Sequence, residues 1–173
     1  MSPRAAWRLE ALGFADVYDY EAGKQDWAAM GLPLEGKRAD RPRAGDVALP
    51  DVPTCSPDEL LAAARERVRA SGFDVCVVVN ERHVVQGLLR AAELDGPDEL
   101  LVEQAMRPGP GTYRPNVDID EMANVMAEHE LASAPVTTSD GVLVGLLRRE
   151  DAERVAHRLH ERIRTGEEDA GSD

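Results

Sequence analysis

Two arginines, Arg90 and Arg148, stand where a charged ligand could be held. Each follows a Gly-Leu-Leu tripeptide, and an acidic residue comes three positions later, Glu93 in one case and Asp151 in the other. Arginine forms charge-assisted hydrogen bonds with phosphate, so one interpretation is a ligand phosphate contact. The alternative is an arginine–carboxylate pair on one helix, which stabilises by only about 0.2–0.5 kcal/mol and occupies the carboxylate. The sequence leaves both interpretations open.

No other group of residues in the sequence predicts catalysis or metal binding. His157 and His160 are three positions apart on a predicted helix, but nothing supplies the remaining metal ligands, so we interpret them as surface residues. The segment RPGPGTY lacks the lysine and the following helix of a phosphate-binding loop. Cys55 and Cys76 form no CxxC motif and do not indicate an oxidising compartment. We therefore expect no enzymatic activity, no metal site and no required cofactor.

The composition limits the classes of partner. The chain of 173 residues has a formal net charge of −13, which argues against a general binder of nucleic acid or anionic membranes because phosphate groups would repel it. The longest apolar runs, VCVVV and VLVGLL, are far too short to span a bilayer, and the N-terminal residues contain no apolar stretch of signal-peptide length. We expect a cytoplasmic protein.

The sequence repeats itself with an offset of 58 residues, since Gly87 and Gly145 are separated by 145 − 87 = 58. Without gaps, the same offset aligns Leu61 with Ile119. Throughout the two units, apolar residues expected in the core align with apolar residues expected in the core. A repeat of this kind indicates two copies of one supersecondary unit that cover each other's apolar faces.

Local patterns predict the order strand, helix, strand, strand, helix in each unit. The segment Ser56–Glu59 (SPDE) is typical of a capping box and predicts a helix start, while the second unit should start its helix near Asn116 or Asp118. The strands follow as FDVCVVV and HVVQGLL, and then as APVTT and VLVGLL. The predicted fold class is therefore α/β, with two units related by a pseudo-two-fold axis.

These motifs resemble a tandem pair of cystathionine-β-synthase-like (CBS) domains. The resemblance runs from about Ala44 to Arg162 and is carried by GDVALPDVPTCSPDEL, VEQAMRPGPGTYRPN, the APV strand and the GLL strand ends. It implies repeats at residues 44–98 and 99–163, followed by a disordered acidic tail at 164–173. The resemblance also implies a regulatory module, since many such pairs bind adenine nucleotides in two clefts and many dimerise.

The resemblance further assigns residues to the two clefts. In the family pattern a Thr or Ser and an Asp follow the strand end, the carboxylate holds ribose hydroxyls, and backbone groups contact the base. Here arginine replaces the hydroxyl residue in both units and Glu93 replaces one aspartate, so we expect the cleft that keeps Asp151 to be the stronger site. The first cleft would use Thr54, Val75, Val77, Arg90 and Glu93, and the second Thr112, Ala134, Pro135, Val136, Arg148 and Asp151.

Residues 1–36 resemble the C-terminal part of a rhodanese domain, with a helix, the strand DVYDY and an ending that contains GLPLEG. We expect a small helix-strand-helix appendage, joined to the repeats by a linker at residues 37–43. The nucleophilic cysteine of such enzymes lies just before this helix, and neither Cys55 nor Cys76 occupies that place. As written, the sequence does not predict a sulfurtransferase.

Three functions stay open. The first is a non-enzymatic regulatory module that senses AMP, ADP, ATP or a related adenosyl ligand and acts on an unknown protein partner. The second is a structural dimerisation or docking module whose clefts bind nothing. The third is a fragment of a longer protein that also contains an active rhodanese domain.

We expect the protein to be a homodimer. The apolar faces of the predicted helices at Leu60–Val68 and Ile119–Met126 are wide for helices that each cover one sheet, and the related pairs commonly associate through such helices. Light scattering at high micromolar concentration should give twice the mass of one chain. The mass of a single chain at that concentration would contradict this prediction.

Overall fold

The structure is a computed structural model that describes residues 3–18, 23–30, 32–33, 35 and 41–165. Among these residues no helix has both the length and the apolar composition needed to cross a membrane. In chain order the elements are α1 (Pro3–Ala11), α2 (Gly23–Ala29), α3 (Ala44–Val47), β1 (Thr54–Cys55), α4 (Leu61–Ser71), β2 (Cys76–Val79), β3 (Val85–Leu89), α5 (Ala91–Leu94), α6 (Val102–Ala105), β4 (Arg107–Pro108), α7 (Ile119–Glu128), β5 (Ser133–Thr137), β6 (Leu143–Arg148) and α8 (Arg149–Thr165).

Both repeats follow the predicted order, and the α/β fold class is confirmed. The first repeat consists of β1, α4, β2, β3 and α5. In the second, α7, β5, β6 and α8 correspond, while the short first strand is reduced to one parallel bridge between Tyr113 and Val136. The strand registers keep the offset of 58, because Val78 lies opposite Gly87 and Val136 lies opposite Gly145.

The strands form two sheets that are joined by an apolar cluster. One sheet has the order β1-β2-β3-β4, with β1 parallel to β2 and the other pairs antiparallel, and the second sheet is the β5-β6 hairpin. Every residue of β2 and β5 is buried, as expected of strands covered on both faces. The cluster that joins the sheets includes Val77, Leu88 and Leu146.

The first residues of each repeat pack on the other repeat. α3, which opens the first repeat, contacts β6 and α8, and Leu49 exchanges two backbone hydrogen bonds of 2.9 Å with Leu146. α6 and β4, which open the second repeat, pack on the first repeat, where Arg107 pairs with Leu88. The two crossings are related by the repeat offset, since 107 − 49 and 146 − 88 both equal 58.

Each apolar core is completed by residues from these crossings. Ala44 lies in the core of the second repeat beside Met122, and Val102 lies in the core of the first repeat beside Leu61; all four are fully buried. The inward positions of α4 and α7 are therefore filled within one chain, so the width of these helix faces does not support a homodimer, which stays a prediction. The buried positions are Leu61, Ala64, Val68, Ile119, Met122, Ala123 and Met126.

α4 begins at Leu61 and not at the predicted capping box. The Ser56 N–H donates to Glu59 Oε1 at 2.8 Å, but residues 57–60 belong to no helix. The cause is the start of the second repeat, which pairs with Leu60 and accepts a hydrogen bond of 2.8 Å from the Leu61 N–H at Leu100 O. This pairing delays the start of α4 to Leu61, after a turn in which the Glu59 N–H donates to Ser56 O at 3.2 Å.

The N-terminal appendage has its two helices, α1 and α2, but its predicted strand is wrong over Asp16–Tyr18. These residues are in no strand because no described segment pairs with them, and Asp19 and Tyr20 lie outside the described residues. Trp7 and Phe14 are 68% and 59% exposed, so the described part of the chain leaves these aromatic side chains uncovered.

The predicted linker and tail join regular structure at their inner ends. Arg43 forms a backbone bridge with Asp118, while residues 37–40 of the linker lie outside the described residues. α8 continues to Thr165, two residues into the predicted disordered tail, and the Thr165 hydroxyl donates to Glu161 O at 3.0 Å. Residues 166–173 lie outside the described residues.

Gly87 and Gly145 allow the crossing segments to approach the sheets. A Cβ atom on Gly145 would lie 2.7 Å from Leu49 O, and one on Gly87 would lie 2.5 Å from Met106 Sδ and 3.0 Å from Arg107 O. At Gly145 the nearest atoms belong to backbone, so close backbone approach requires glycine, whereas at Gly87 the nearest atom belongs to a flexible side chain and the constraint is weaker.

We expect Gly145→Ala to lower the free energy of unfolding by about 2–3 kcal/mol, because its methyl group meets rigid backbone. Gly87→Ala should cost about 1 kcal/mol, because the flexible side chain of Met106 can move aside. Gly111→Ala is the matched control: its Cβ meets no atom within 4 Å, and the change should stay within about 0.5 kcal/mol. Urea denaturation measures all three, and equal losses for Gly145→Ala and Gly111→Ala would contradict the crossing.

Candidate functional site

Arg90 and Arg148 lie at strand-to-helix junctions and reach across to the other repeat. Arg90 immediately precedes α5, and its Nη2 donates to Ser133 O at 3.2 Å. Arg148 ends β6, and its guanidinium carbon lies 4.4 Å from the centroid of the Phe73 ring. Both arginines therefore connect the two repeats.

The acidic residues three positions further on bind other partners. Glu93 Oε2 accepts a hydrogen bond from the Arg90 backbone N–H at 3.0 Å, and its Oε1 accepts one from Arg107 Nε at 2.8 Å. Asp151 pairs with Arg154 along α8. The alternative interpretation, in which each arginine side chain pairs with the acid three positions on, is therefore not what the structure shows. Capping turns Glu93 back onto the backbone and leaves the guanidinium of Arg90 free to reach Ser133.

Glu93 is held in its ionised form. Its side chain is only 11% exposed, and this burial acts to raise its pKa. Hydrogen bonds from the backbone at the start of α5 and from Arg107 outweigh the burial, so the pKa of Glu93 lies below its usual range. The ionised carboxylate thus binds both the backbone N–H of Arg90 and the largely exposed side chain of Arg107.

Arg90 and Arg107 line a cavity of about 490 Å³ between the repeats, which we call the first cavity. The second repeat contributes Tyr113, His129 and Ser133 to its wall. None of the described residues that line it is acidic. Glu93 neutralises much of the charge of Arg107 by pairing with it, so in a chain with a net charge of −13 it is mainly the charge of Arg90 that favours an anionic ligand there.

Arg148 lines a separate cavity of about 500 Å³, the second cavity, together with Phe73 and Arg149. Three carboxylates also line it, so the charges of its wall nearly cancel. Arg148 lies 4.0 Å from Glu150, and Arg149 lies 3.7 Å from Glu153. The third carboxylate is that of Asp74. The second cavity is thus less favourable to an anion than the first.

Thr54 lies in a third cavity of about 610 Å³, away from the arginine at the start of α5. Arg67 extends along this cavity, donates to Thr54 O and pairs with Glu59 through a contact of 2.8 Å. Burial acts to raise the pKa of Glu59, but the hydrogen bond from Arg67 helps to hold it below its usual range. Thr54 and Arg67 are therefore part of the packing of the first repeat.

The structure regroups the residues assigned to the two clefts. Ala134 and Pro135, assigned to the second cleft with Arg148, line the first cavity with Arg90. Asp151 is mostly covered and paired within α8, and Thr112 is half-buried beside Tyr113. Three further residues have fully buried side chains and can offer only backbone groups to a ligand: Val75, Val77 and Val136.

Sequence reasoning missed Arg107, Tyr113 and His129 in the first cavity and Phe73 in the second. Arg107 was missed because only the crossing of the repeat starts brings it next to Arg90. Phe73 could have been noticed from the sequence. The offset of 58 makes it equivalent to Leu131, so one repeat has an aromatic side chain where the other has an aliphatic one. Among the residues that the structure describes, no group of three His, Cys, Asp or Glu side chains could hold a metal ion.

Comparison with known protein families identifies the architecture. The model of the CBS domain matches residues 44–94 and again residues 102–158, which together make up more than half of the chain. The chain belongs to the CBS-domain family. Its two CBS domains form a CBS pair, which is a regulatory module.

Two relatives share the CBS pair within longer chains. An uncharacterised protein of Methanopyrus kandleri, MK0525, is 25% identical over 115 residues, which cover 62% of this chain and 59% of that protein. Inosine-5'-monophosphate dehydrogenase of Korarchaeum cryptofilum is 29% identical over 111 residues, which cover 63% of this chain and 23% of the enzyme. A CBS pair thus also occurs within an enzyme, and the absence of enzymatic activity here stays a prediction.

Solved structures share the fold of the CBS pair. The structure of CBSX2 in complex with AMP matches 69% of this chain and 98% of that chain, with a TM-score of 0.62 and 19% identity. The cytosolic domain of the Mg²⁺ channel MgtE in complex with ATP matches 66% of this chain and 48% of that chain, with a TM-score of 0.60 and 22% identity. No comparison supports the rhodanese-like interpretation of residues 1–36, which stays a prediction.

We expect Glu93→Gln to lower the free energy of unfolding of the CBS pair by about 1 kcal/mol at pH 7, because it weakens hydrogen bonds to a charged group. Because the pKa of Glu93 is lower in the folded state, ionised Glu93 stabilises the folded protein at pH values above the ordinary glutamate pKa of about 4.3. This stabilisation is lost as the pH falls through the folded-state pKa. The difference from the wild type should therefore shrink below about pH 4.

Urea denaturation at pH 7 and at several acidic pH values measures this difference. Glu66→Gln is the matched control, because the Glu66 side chain is 70% exposed and its pair with Arg69 on one helix contributes little. A loss for Glu93→Gln that is the same at every pH would contradict the role of the ionised carboxylate.

Proposed function

We propose that the chain senses an adenine nucleotide in the first cavity and transmits its binding through the CBS pair to a regulated protein. The observation that carries this proposal is the pair of arginines, Arg90 and Arg107, in a cavity without acidic lining residues. The structures that hold AMP and ATP in related CBS pairs support the choice of ligand class. The candidate ligands are AMP, ADP and ATP.

The residues of the first cavity suit the parts of a nucleotide. The guanidinium groups of Arg90 and Arg107 offer several N–H donors to phosphate oxygens. The Tyr113 ring lines the cavity and offers an aromatic surface for a base. The carbonyl of Ser133, which already accepts from Arg90, and that of Pro135, which accepts from the Tyr113 N–H at 3.0 Å, have a second lone pair each for an adenine amino group.

Glu93 has a different role in this proposal from that implied by the family pattern. Its two oxygens are used by the Arg90 backbone and by Arg107, so it orients the second guanidinium and does not bind ribose directly. The charges of the lining residues also favour the first cavity over the one beside Arg148, which is the reverse of the order expected from Asp151.

The position of the cavity between the repeats suggests how binding is transmitted. Arg90 belongs to the first repeat, while Tyr113, His129 and Ser133 belong to the second. A nucleotide that contacts both repeats stabilises the arrangement in which those contacts coexist and so shifts the population of the pair towards it. A homodimer would pass this shift to a second chain.

The second candidate is a docking module whose clefts stay empty. It is favoured by the aromatic side chains that the N-terminal segment leaves exposed, Trp7, Phe14 and Tyr18, of which Tyr18 is 83% exposed. Exposed aromatic groups are typical of surfaces that bind another protein. The two candidates differ in whether any nucleotide stabilises the fold.

We expect ATP, ADP or AMP to raise the thermal midpoint of the wild-type chain, because a ligand that binds the folded state stabilises it. Arg90→Ala and Arg107→Ala should each weaken binding about tenfold or more, since a hydrogen bond to a charged group contributes about 1.5–3 kcal/mol. The loss should be largest for ATP. Thermal-shift titration and calorimetry measure both effects.

Two further variants serve as controls. Arg69→Ala removes an exposed arginine of α4 and should leave binding unchanged, while Arg148→Ala should change it little. A larger loss from Arg148→Ala than from Arg90→Ala would show that the second cavity is the main site. No shift with any of the three nucleotides would favour the docking module.

A further inference from the structure

The second cavity already contains a positively charged group of the chain itself. The guanidinium of Arg148 lies over the face of Phe73, 4.4 Å from the ring centroid, and both residues line the cavity. Cation–π attraction holds a guanidinium in this position. The group that would meet a phosphate is therefore engaged before any ligand arrives.

The corresponding arginine of the first repeat has no such partner. The repeat offset places Arg148 on Arg90 and Phe73 on Leu131, since 148 − 90 and 131 − 73 both equal 58. Leu131 lines the first cavity beside Arg90, but an aliphatic side chain has no π-face to attract a cation. Arg90 instead uses one nitrogen to bind Ser133 O at 3.2 Å, and its other donors can still serve a ligand.

The charges around the two arginines also favour an anion in the first cavity over one in the second. The wall of the second cavity includes Asp74, Glu150 and Glu153, and Arg148 lies 4.0 Å from Glu150. The first cavity has no acidic residue among its described lining. The aromatic ring and the carboxylates thus both oppose an anion in the second cavity.

We propose that Phe73 is a specificity-determining residue that keeps Arg148 as the internal occupant of the second cavity and so restricts nucleotide binding to the first. This inference rests on the proposed function for the first cavity, but it makes a separate claim. Among the differences between the two clefts, the one between Phe73 and its repeat partner Leu131 decides whether the arginine at the strand end is available to a ligand. The chain is then a sensor with one site per chain.

The experiment compares the number of ATP sites in the wild type and in Phe73→Leu by calorimetry. We expect one site per chain in the wild type and two in Phe73→Leu, because the released Arg148 becomes available to phosphate. The added site should disappear in Phe73→Leu/Arg148→Ala. Leu131→Phe is the reciprocal variant, and it should weaken the first site about tenfold by capturing Arg90.

The outcomes separate this inference from the proposed function. If the wild type binds one ATP and Phe73→Leu also binds one, the inference is wrong and the proposed function stands. If the wild type binds none and Phe73→Leu binds one, the block of the second cavity by Phe73 is supported, while the proposed function of the first cavity and the restriction of binding to it fail. If neither chain binds ATP, both are wrong.

A measurement without ligand tests the contact itself. Protons of the Arg148 side chain that lie over the Phe73 ring should show upfield ring-current shifts in the NMR spectrum, and Phe73→Leu should abolish them. Phe73→Ala provides a second variant in case the leucine side chain refills the space. Unshifted Arg148 protons in the wild type would overturn the inference.

Discussion

Two backbone crossings, between Leu49 and Leu146 and between Arg107 and Leu88, hold the CBS pair together. Each brings the opening segment of one repeat onto the sheet of the other, so neither repeat completes its core alone. The crossings need glycine on the sheet, because a side chain at Gly145 would overlap the passing backbone. The repeated Gly-Leu-Leu motif is thus a consequence of how the repeats exchange their ends.

The same exchange builds the candidate site. β4 carries Arg107 onto the first repeat, where its guanidinium binds Glu93 and where it lines the same cavity as Arg90. The two arginines are far apart in sequence. Because the Glu93 side chain is largely buried, solvent screens its attraction to Arg107 only weakly. A positive cleft in an acidic chain therefore results from the topology of the pair more than from any local motif.

Pseudo-symmetry gives the molecule two similar clefts, and a few side chains make them different. The arginines at the two strand ends occupy equivalent positions, but Arg148 meets an aromatic ring and carboxylates while Arg90 meets an aliphatic side chain and a carbonyl. The repeat supplies the same backbone geometry twice, and these side chains give the two clefts different charges.

The sequence by itself determined the α/β class, the offset of 58, the strands around Gly87 and Gly145 and a helix that starts near Asn116 or Asp118. These features depend on local periodicity and turn chemistry, which can be read from short segments of the sequence. Only the tertiary structure decided that α4 starts at Leu61, that Glu93 binds Arg107, and that Ala134 and Pro135 face Arg90. The reason is that each of these results depends on contacts between the repeats. No local sequence pattern indicates which repeat a segment will pack on. The helices and strands could therefore be predicted from the sequence, while the residues that line each cleft could not.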